Sequence, residues 1–293
     1  MTVTAPRRAL ASLTGLSVGD AFGDQFFPLA GRGLDPWTAT PPGPWAWSDD
    51  TEMACSVVAT LIRHGRVDQD ALAASFAARM DVGRRYGAGT LELLEKVRDG
   101  VPWRTASVEG FGGNGSYGNG AAMRAAPLGA FFAGDLRRAA GEAAASAEVT
   151  HAHPEGVAGA VAVAVAAAHV ATPAEPQRPD LFDAALDHLA PGHVRRGVEA
   201  ARELGGVTVE QAAARLGNGS RITAPDTVPF TLWLAARYLD DYETAVRACA
   251  VAGGDIDTTA AIVGGIVEAR AGGAPDLWRR RREPLPDWLG HHA

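Results

Sequence analysis

The sequence predicts an all-α protein, and three observations lead to that prediction. Alanine dominates the apolar positions, and these positions recur at helical spacing in most segments of the chain. Valine and isoleucine do not alternate with polar residues over useful lengths, as they would in a half-buried β-strand. Glycine and proline interrupt the pattern where helices are expected to end. We therefore expect a multi-helix bundle.

Each periodic segment between these interruptions predicts one helix. In chain order the predicted helices cover residues 7–22, 50–64, 68–80, 89–98, 119–131, 135–150, 154–171, 180–189, 192–203, 207–216, 227–239, 241–252 and 258–271. The intervening loops are marked by proline and glycine, above all at 28–44, 110–118, 173–179 and 217–226.

One domain over residues 1–293 is the expected organisation. The chain is 47% hydrophobic and long enough to bury a large core. None of its loops is long or polar enough to serve as a domain linker. No fixed-period repeat of the kind that marks a helical solenoid occurs in it.

The charge pattern argues against a nucleic-acid partner. The formal net charge is −7, whereas a surface that displaces counterions from phosphates needs a concentrated basic face. The one dense basic run is Arg279–Arg282, and we expect these four side chains to be solvated at a helix end.

The expected location is the cytoplasm, without a membrane partner. Cys55 and Cys249 lie in apolar helical patterns without a CxxC motif, as expected of buried free thiols in a reducing compartment. The N-terminal segment lacks the continuous apolar core of a signal peptide, and the apolar run at 157–170 is too short for a membrane span. Because no long heptad pattern occurs, we expect a monomer.

Two short acidic runs stand directly before apolar, helix-forming stretches. Helix capping alone explains them, because carboxylates and hydroxyls stabilise helix N-termini, and Glu52 is best explained in this way. If the fold brought the two runs together, however, the carboxylates would repel one another unless a cation lay between them. The side chains offer only oxygen atoms, which favour Mg²⁺ or Mn²⁺ over zinc. The candidate ligands are Ser48, Asp49, Asp50, Asp255, Asp257 and Thr258.

A glycine-rich turn runs directly into a predicted helix in "EGFGGNGSYGNGAAMRAAPLG", residues 109–129. Exposed backbone N–H groups at a helix N-terminus can bind an anion such as a diphosphate, and a flexible connecting loop is the alternative explanation. The segment "GNGSYG" formally matches GxGxxG, but no strand pattern precedes it, which excludes a Rossmann motif.

Two histidines flank a predicted helix boundary in "EVTHAHPEG", residues 148–156. Either a capping and packing role or a ligand role is open to His151 and His153. The sequence shows no specific Ser-His-Asp or Cys-His arrangement, so nucleophilic catalysis gets little support.

Five motifs occur in the order typical of one enzyme family. They are "GLSVGDAFGD" at 15–24, "WSDDTEMA" at 47–54, "GSYGNGAAMRAAPLG" at 115–129, "THAHPEG" at 150–156 and "GGDIDTTAAIVGGI" at 253–266. Together they span most of the chain, and on these motifs the sequence resembles the ADP-ribosylglycohydrolase family. The resemblance implies a compact all-α orthogonal bundle with a dinuclear magnesium centre in a central cleft.

The resemblance also assigns roles to individual residues. The two acidic runs match the family's metal ligands, which implies that they meet around two Mg²⁺ ions. Phe111 is expected near the adenosine end of an ADP-ribose ligand, and His151 corresponds to a histidine that closes on the substrate. The matching diphosphate and ribose contacts are Gly115, Ser116, Tyr117, Gly118 and Asn119.

One position departs from the pattern of the family's serine-specific members. Those members carry a glutamate, thought to act as the acid, where this chain has Phe27. Asp24 is the nearest carboxylate that could replace it, and Asp20 is expected to orient neighbouring groups.

The implied reaction is hydrolysis of the bond between C1'' of the distal ribose and an acceptor. Asp49 or Asp257 would act as general base towards water. The acceptor could be arginine or another protein side chain, a nucleobase or a small molecule. Two other functions stay open: a non-catalytic ADP-ribose-binding module, and a metal-dependent phosphohydrolase that would release phosphate.

Overall fold

The structure is a computed structural model that describes residues 3–27, 33–172 and 180–290. Within these ranges the regular elements are α-helices and two short 3₁₀ turns, and there is no β-strand. The all-α class predicted from the sequence is therefore confirmed.

The helices are α1 (Ala5–Asp24), α2 (Asp49–His64), α3 (Gln69–Arg79), α4 (Ala88–Arg98), α5 (Trp103–Gly113), α6 (Ala126–Phe131), α7 (Leu136–Glu148), α8 (Pro154–Val170), α9 (Asp180–Leu186), α10 (His193–Glu203), α11 (Val209–Leu216), α12 (Ala224–Arg237), α13 (Tyr242–Ala252), α14 (Ile256–Ala271), α15 (Asp276–Arg281) and α16 (Asp287–Gly290). The 3₁₀ turns are Val82–Arg84 and Asn119–Ala121.

Most predicted helices are present with ends shifted by a few residues, but the continuous helix over 119–131 is wrong. The chain forms a 3₁₀ turn at Asn119–Ala121 and then begins α6 with Pro127 in its first turn. Proline has no amide hydrogen and its ring clashes with a preceding helical turn, so it starts a helix more readily than it continues one.

Three helices, α5, α15 and α16, are absent from the sequence prediction. The last two have six and four residues, too few to show a helical period. The predicted loop over 110–118 overlaps the end of α5, where the backbone at Gly110–Gly112 is non-helical. The predicted loop at 173–179 and residues 28–32 of the loop at 28–44 lie outside the described residues.

The helices α1 and α14 lie against each other backbone to backbone and in opposite directions. A Cβ added at Gly15 would lie 2.4 Å from the carbonyl oxygen of Gly264, and one at Gly19 would lie 2.2 Å from that of Ala260. At Gly23 the added atom would lie 2.7 Å from the carbonyl oxygen of Ile256. The end of α1 therefore meets the start of α14.

The start of α2 is fixed on the same end of α1 by a buried carboxylate. Asp20 accepts hydrogen bonds from the backbone N–H of Ser48 at 2.9 Å and from that of Thr51 at 3.2 Å. The hydroxyl of Thr51 donates a third at 2.5 Å. Through α1, the starts of α2 and α14 are thus brought to one place.

The side chains of the run Arg279–Arg282 are not all solvated, contrary to the prediction. Arg279 pairs with the buried carboxylate of Glu268 at 2.6 Å, and Arg281 donates to the carbonyl oxygen of Pro41 at 2.6 Å. Both side chains are half-buried, because these partners satisfy their hydrogen-bonding groups, and only Arg280 of the four is exposed. The expectation of a solvated run is therefore wrong.

The described residues also test the predictions about the two cysteines and about a membrane span. Cys55 and Cys249 are buried free thiols, as predicted. None of the described helices combines the length and the apolar character that crossing a bilayer requires.

The contact between α1 and α14 predicts the effect of adding one methyl group. Gly19→Ala should lower the free energy of unfolding by about 1–3 kcal/mol or prevent folding, because the new Cβ meets backbone rather than a movable side chain. Gly141→Ala is the matched control, since nothing lies near an added Cβ there, and it should raise stability by up to about 1 kcal/mol. Urea unfolding measures both, and equal effects would contradict the close backbone contact.

Candidate active site

A cavity of about 700 Å³ opens where the starts of α2 and α14 meet. Its wall includes Asp49 and Asp50 from α2 and the segment 255–258 at α14, except for Ile256. The glycine-rich segment 116–120 and His151 also line it. The two acidic runs, far apart in the sequence, therefore share one cavity with the glycine-rich turn.

Capping explains only part of the first acidic run. The hydroxyl of Ser48 accepts a hydrogen bond from the backbone N–H of Asp50 at 3.2 Å, so serine is the capping residue. Ser48 also lies 2.9 Å from Oδ2 of Asp50, whereas Oδ1 of Asp50 is buried without a hydrogen-bond partner. A buried carboxylate oxygen without a partner is costly in a protein interior, and a cation would satisfy it.

Helix capping does not explain the presence of Asp255 in the second acidic run. Asp255 occupies the N-cap position of α14, but its side chain makes no capping hydrogen bond. Its Oδ2 instead accepts a hydrogen bond of 2.6 Å from the side-chain amide of Asn119. Asp257 accepts the backbone N–H of Thr258 at 2.9 Å. The side chain of Asp255 is therefore held by Asn119 and does not cap the helix.

Asp20, Asp50 and Asp257 form a close group of carboxylates. One oxygen of each lies within 4.8 Å of the others, and all three residues are buried. The sequence assigned Asp20 only an orienting role, and the structure shows that it also belongs to this group. Its signal in the sequence is the "GD" of "GLSVGD", which by itself does not reveal how deep the side chain lies.

Burial and repulsion between neighbouring carboxylates disfavour the charged forms of Asp20, Asp49, Asp50 and Asp255. Burial, followed by the charge of Asp257, raises the pKa of Asp20 to about 6. Burial and Asp257 together raise the pKa of Asp255 to about 7. Burial, followed by the charge of Asp20, raises the pKa values of Asp49 and Asp50 well above the ordinary value. An oxygen-only group of this kind fits a divalent cation, which would hold all the carboxylates ionised.

The glycine-rich turn is an ordered part of the cavity wall. Gly115 has a left-handed backbone with φ of 71°, and an added Cβ would lie 2.8 Å from the backbone nitrogen of His153. The hydroxyl of Ser116 accepts the backbone N–H of Gly118 at 3.1 Å. Gly115 itself is buried behind the wall, whereas Ser116, Tyr117 and Gly118 line the cavity.

Asn119 and Phe111 take different positions in the site. The side-chain amide of Asn119 donates to Asp255 and, at 3.1 Å, to the hydroxyl of Thr227. It therefore links the glycine-rich turn to the acidic cluster. Phe111 lines the cavity but is 63% exposed, with a left-handed backbone at φ of 55°. Its ring is thus available at the cavity surface.

The two histidines have separate roles in the structure. His151 is buried on the cavity wall, and its Nδ1 lies 2.7 Å from the hydroxyl of Thr150. Nδ1 of His153 accepts the backbone N–H of Glu155 at 3.1 Å, which caps α8, and its ring lies against Tyr117 with centroids 5.2 Å apart. The capping explanation therefore holds for His153.

Arg85 is a cavity residue that sequence reasoning missed. Its guanidinium pairs with Asp24 at the end of α1 and lies 3.6 Å from Oδ2 of Asp257. Its backbone is left-handed with φ of 66°, uncommon for a residue other than glycine. Asp24, predicted to be catalytic, lies in this ion pair and not on the cavity wall.

The segment that carries Arg85 is anchored on both sides. Glu52 accepts hydrogen bonds from the hydroxyl of Tyr86 at 2.6 Å and from the backbone N–H of Asp81 at 3.0 Å. Arg84 makes two contacts of 2.7 Å with the carboxylate of Glu283. Glu52 therefore supports the cavity wall rather than facing the acidic cluster.

Comparison with known proteins agrees with this geometry. A family model described as ADP-ribosylglycohydrolase matches residues 1–291. The ADP-ribosylhydrolase ARH3 of Homo sapiens is 29% identical, with 81% of this chain and 74% of that protein covered. An uncharacterized protein of Archaeoglobus fulgidus is 30% identical, with 91% and 88% covered. A solved structure described as an ADP-ribosylglycohydrolase-related protein complex has a TM-score of 0.71 at 26% identity, covering 98% of this chain and 96% of that one.

The raised pKa values predict how stability responds to pH without a divalent cation. The pKa rises from its ordinary value of 3.8 to about 6 for Asp20 and to about 7 for Asp255. The folded chain therefore binds protons more tightly than the unfolded chain does. Stability without a cation should therefore fall as the pH rises from about 4 to about 7. Mg²⁺ should raise the Tm more at about pH 7.5 than at about pH 5, because it competes with protons for the same oxygens.

Thermal unfolding in EDTA and in Mg²⁺ at the two pH values measures this effect. Asp50→Asn should lose most of the Mg²⁺-dependent rise in Tm, whereas Asp135→Asn should keep it. Asp135 is an exposed N-cap of α7, and asparagine caps equally well. A rise in Tm that is the same at both pH values would refute cation binding by these carboxylates.

Proposed function

The chain belongs to the ADP-ribosylglycohydrolase family, and from that premise we propose that it hydrolyses the C1'' glycosidic bond of ADP-ribose conjugates and releases ADP-ribose. The observation that carries the proposal is that both acidic helix starts line one cavity with the glycine-rich turn. A cavity of about 700 Å³ is within the range of small-molecule sites, which is about 300–1,000 Å³.

We propose that the acidic cluster holds two Mg²⁺ ions, with Mn²⁺ as the alternative. The proposed ligands are Ser48, Asp49, Asp50, Asp255, Asp257 and Thr258. Three features of the site support a cation: its donors are all oxygens, the carboxylates raise one another's pKa, and Oδ1 of Asp50 has no partner. When bound, the metal supplies positive charge that polarises a water molecule and the ribose hydroxyls.

The residues around the glycine-rich turn are proposed to hold the ADP-ribose part. The segment 115–119 would contact the diphosphate and the distal ribose, because residues 116–119 line the cavity. The backbone N–H groups of Gly115, Gly118 and Asn119 already donate within the protein, so those of Ser116 and Tyr117 are the ones offered to an anion. The exposed ring of Phe111 would contact the adenosine end. His151 would contact the ligand from the buried side of the turn.

Proton transfer is proposed to involve carboxylates on the same wall. Asp49 and Asp257 both line the cavity, and either can take a proton from an attacking water. Asp24 is less suited to donate a proton to the leaving group while it is paired with Arg85, because a neighbouring guanidinium stabilises the ionised carboxylate. An acid role for Asp24 therefore requires Arg85 to move away from it.

Removal of one carboxylate charge tests the catalytic proposal. Asp257→Asn should lower kcat by at least about a thousandfold and weaken Mg²⁺ binding, because it removes both a proposed ligand and a proposed base. Far-UV circular dichroism should remain that of the wild type. Asp135→Asn, the exposed helix cap, should keep full activity. Unchanged hydrolysis in Asp257→Asn would refute the assignment.

The reaction products distinguish the proposed function from the two alternatives. A panel of conjugates linked through arginine, serine, a nucleobase or a small molecule is incubated with the protein in Mg²⁺ and in EDTA, and the products are identified by mass spectrometry. Release of intact ADP-ribose in Mg²⁺ alone is the expected result. Binding without release would indicate a non-catalytic module, and release of phosphate would indicate a phosphohydrolase.

A further inference from the structure

Arg124 is a fully buried arginine whose guanidinium contacts Thr150, the residue next to His151. Among the described residues, no carboxylate lies within ion-pair distance of it. Its Nη2 donates to the hydroxyl of Thr150 at 2.9 Å and to the carbonyl oxygen of Ser146 at 3.1 Å. Its guanidinium lies 4.5 Å from the centroid of the Phe76 ring. A buried cation held by neutral groups alone is unusual in a protein interior.

The direction of the hydrogen bond between Thr150 and His151 follows from this contact. A guanidinium has only donors, so the oxygen of Thr150 must accept from Arg124. The one hydroxyl hydrogen of Thr150 is then free to be donated, and Nδ1 of His151 lies 2.7 Å away. Among the described residues, the hydroxyl of Thr150 has no hydrogen-bond contact other than those with Arg124 and His151. Nδ1 therefore accepts, and the ring hydrogen lies on Nε2.

The surroundings also keep the ring of His151 uncharged. Burial, and to a lesser extent the positive charge of Arg124, lower the pKa of His151 to about 3. An imidazole that stays neutral at physiological pH has no additional proton to give to a leaving group. Its remaining polar function is that of a hydrogen-bond donor through Nε2.

Nε2 of His151 lies beside the glycine-rich turn. A Cβ added at Gly120 would lie 3.0 Å from this nitrogen, and one added at Gly118 would lie 3.2 Å from it. Both glycines line the cavity together with Ser116. The absence of side chains at these two positions thus leaves room for the Nε2 edge of the ring.

We propose that Arg124 and Thr150 are positioning residues that fix His151 as a neutral Nε2–H donor to an oxygen acceptor of the ligand. The matching ligand group is a phosphate or ribose oxygen, and that identification rests on the proposed function. The tautomer itself follows from the protein's own contacts. His151 is accordingly a binding residue and takes no part in proton transfer.

Nuclear magnetic resonance tests the tautomer without any substrate. Long-range ¹H–¹⁵N correlation on labelled wild-type protein reads both ring nitrogens, and the His151 signal is assigned by its loss in His151→Gln. Between about pH 5 and pH 8 we expect an unprotonated Nδ1, a protonated Nε2 and no titration. A hydrogen on Nδ1, or titration near the ordinary histidine pKa of about 6.5, would overturn the proposal.

The role of the threonine hydroxyl is tested by a matched pair of variants. Thr150→Val removes the hydroxyl at similar volume, and we expect a mixture of tautomers and ADP-ribose binding weakened about threefold to tenfold. Thr150→Ser keeps the hydroxyl and should retain the tautomer and the affinity. A Thr150→Val spectrum identical to that of the wild type would refute the proposed positioning of His151 by Thr150. If the tautomer is as expected but the wild type does not bind ADP-ribose, the positioning of His151 by Thr150 stands and the proposed function fails.

Discussion

The close backbone contact between α1 and α14 is the constraint on which the candidate site depends. Without side chains at Gly15, Gly19 and Gly23, the two helices approach until carbonyl oxygens of α14 lie where a Cβ would stand. This approach puts Asp20 beside Asp257, and Asp20 in turn holds the first turn of α2. The acidic cluster is therefore built on helices, and rigid elements of this kind hold functional groups more accurately than loops do.

The same arrangement carries an electrostatic cost. Burial and repulsion raise the pKa values of several carboxylates that no lysine or arginine fully neutralises, although Arg85 reaches Asp257. Natural proteins keep such unfavourable groups mainly where function needs them. The supports around the cluster fit this explanation, since Asn119 holds Asp255 and Glu52 holds the segment next to Arg85. Arg124 contacts Thr150, and Thr150 in turn contacts His151, another residue of the cavity wall.

The sequence predicts most helices because their apolar spacing is long enough to read, and it fails where elements are short or interrupted by proline. It also predicts which residue types line the cavity, but local patterns cannot show that two acidic runs meet, since capping explains each run separately. The ordered set of motifs supplied that information. No sequence pattern pointed to Arg85, because this residue has a left-handed backbone directly after a 3₁₀ turn. The half-buried position of Arg281 was missed because its partners are the carbonyl oxygens of Thr40 and Pro41 in a loop far away in the sequence.

The proposed metal centre requires that the starts of α2 and α14 share divalent cations inside one cavity. Anomalous diffraction from crystals grown with Mn²⁺ tests it most directly, because manganese scatters anomalously and replaces Mg²⁺ at oxygen sites. We expect anomalous peaks between the carboxylates of Asp50 and Asp257. Peaks confined to surface carboxylates, or no peak in the cavity at saturating Mn²⁺, would contradict it.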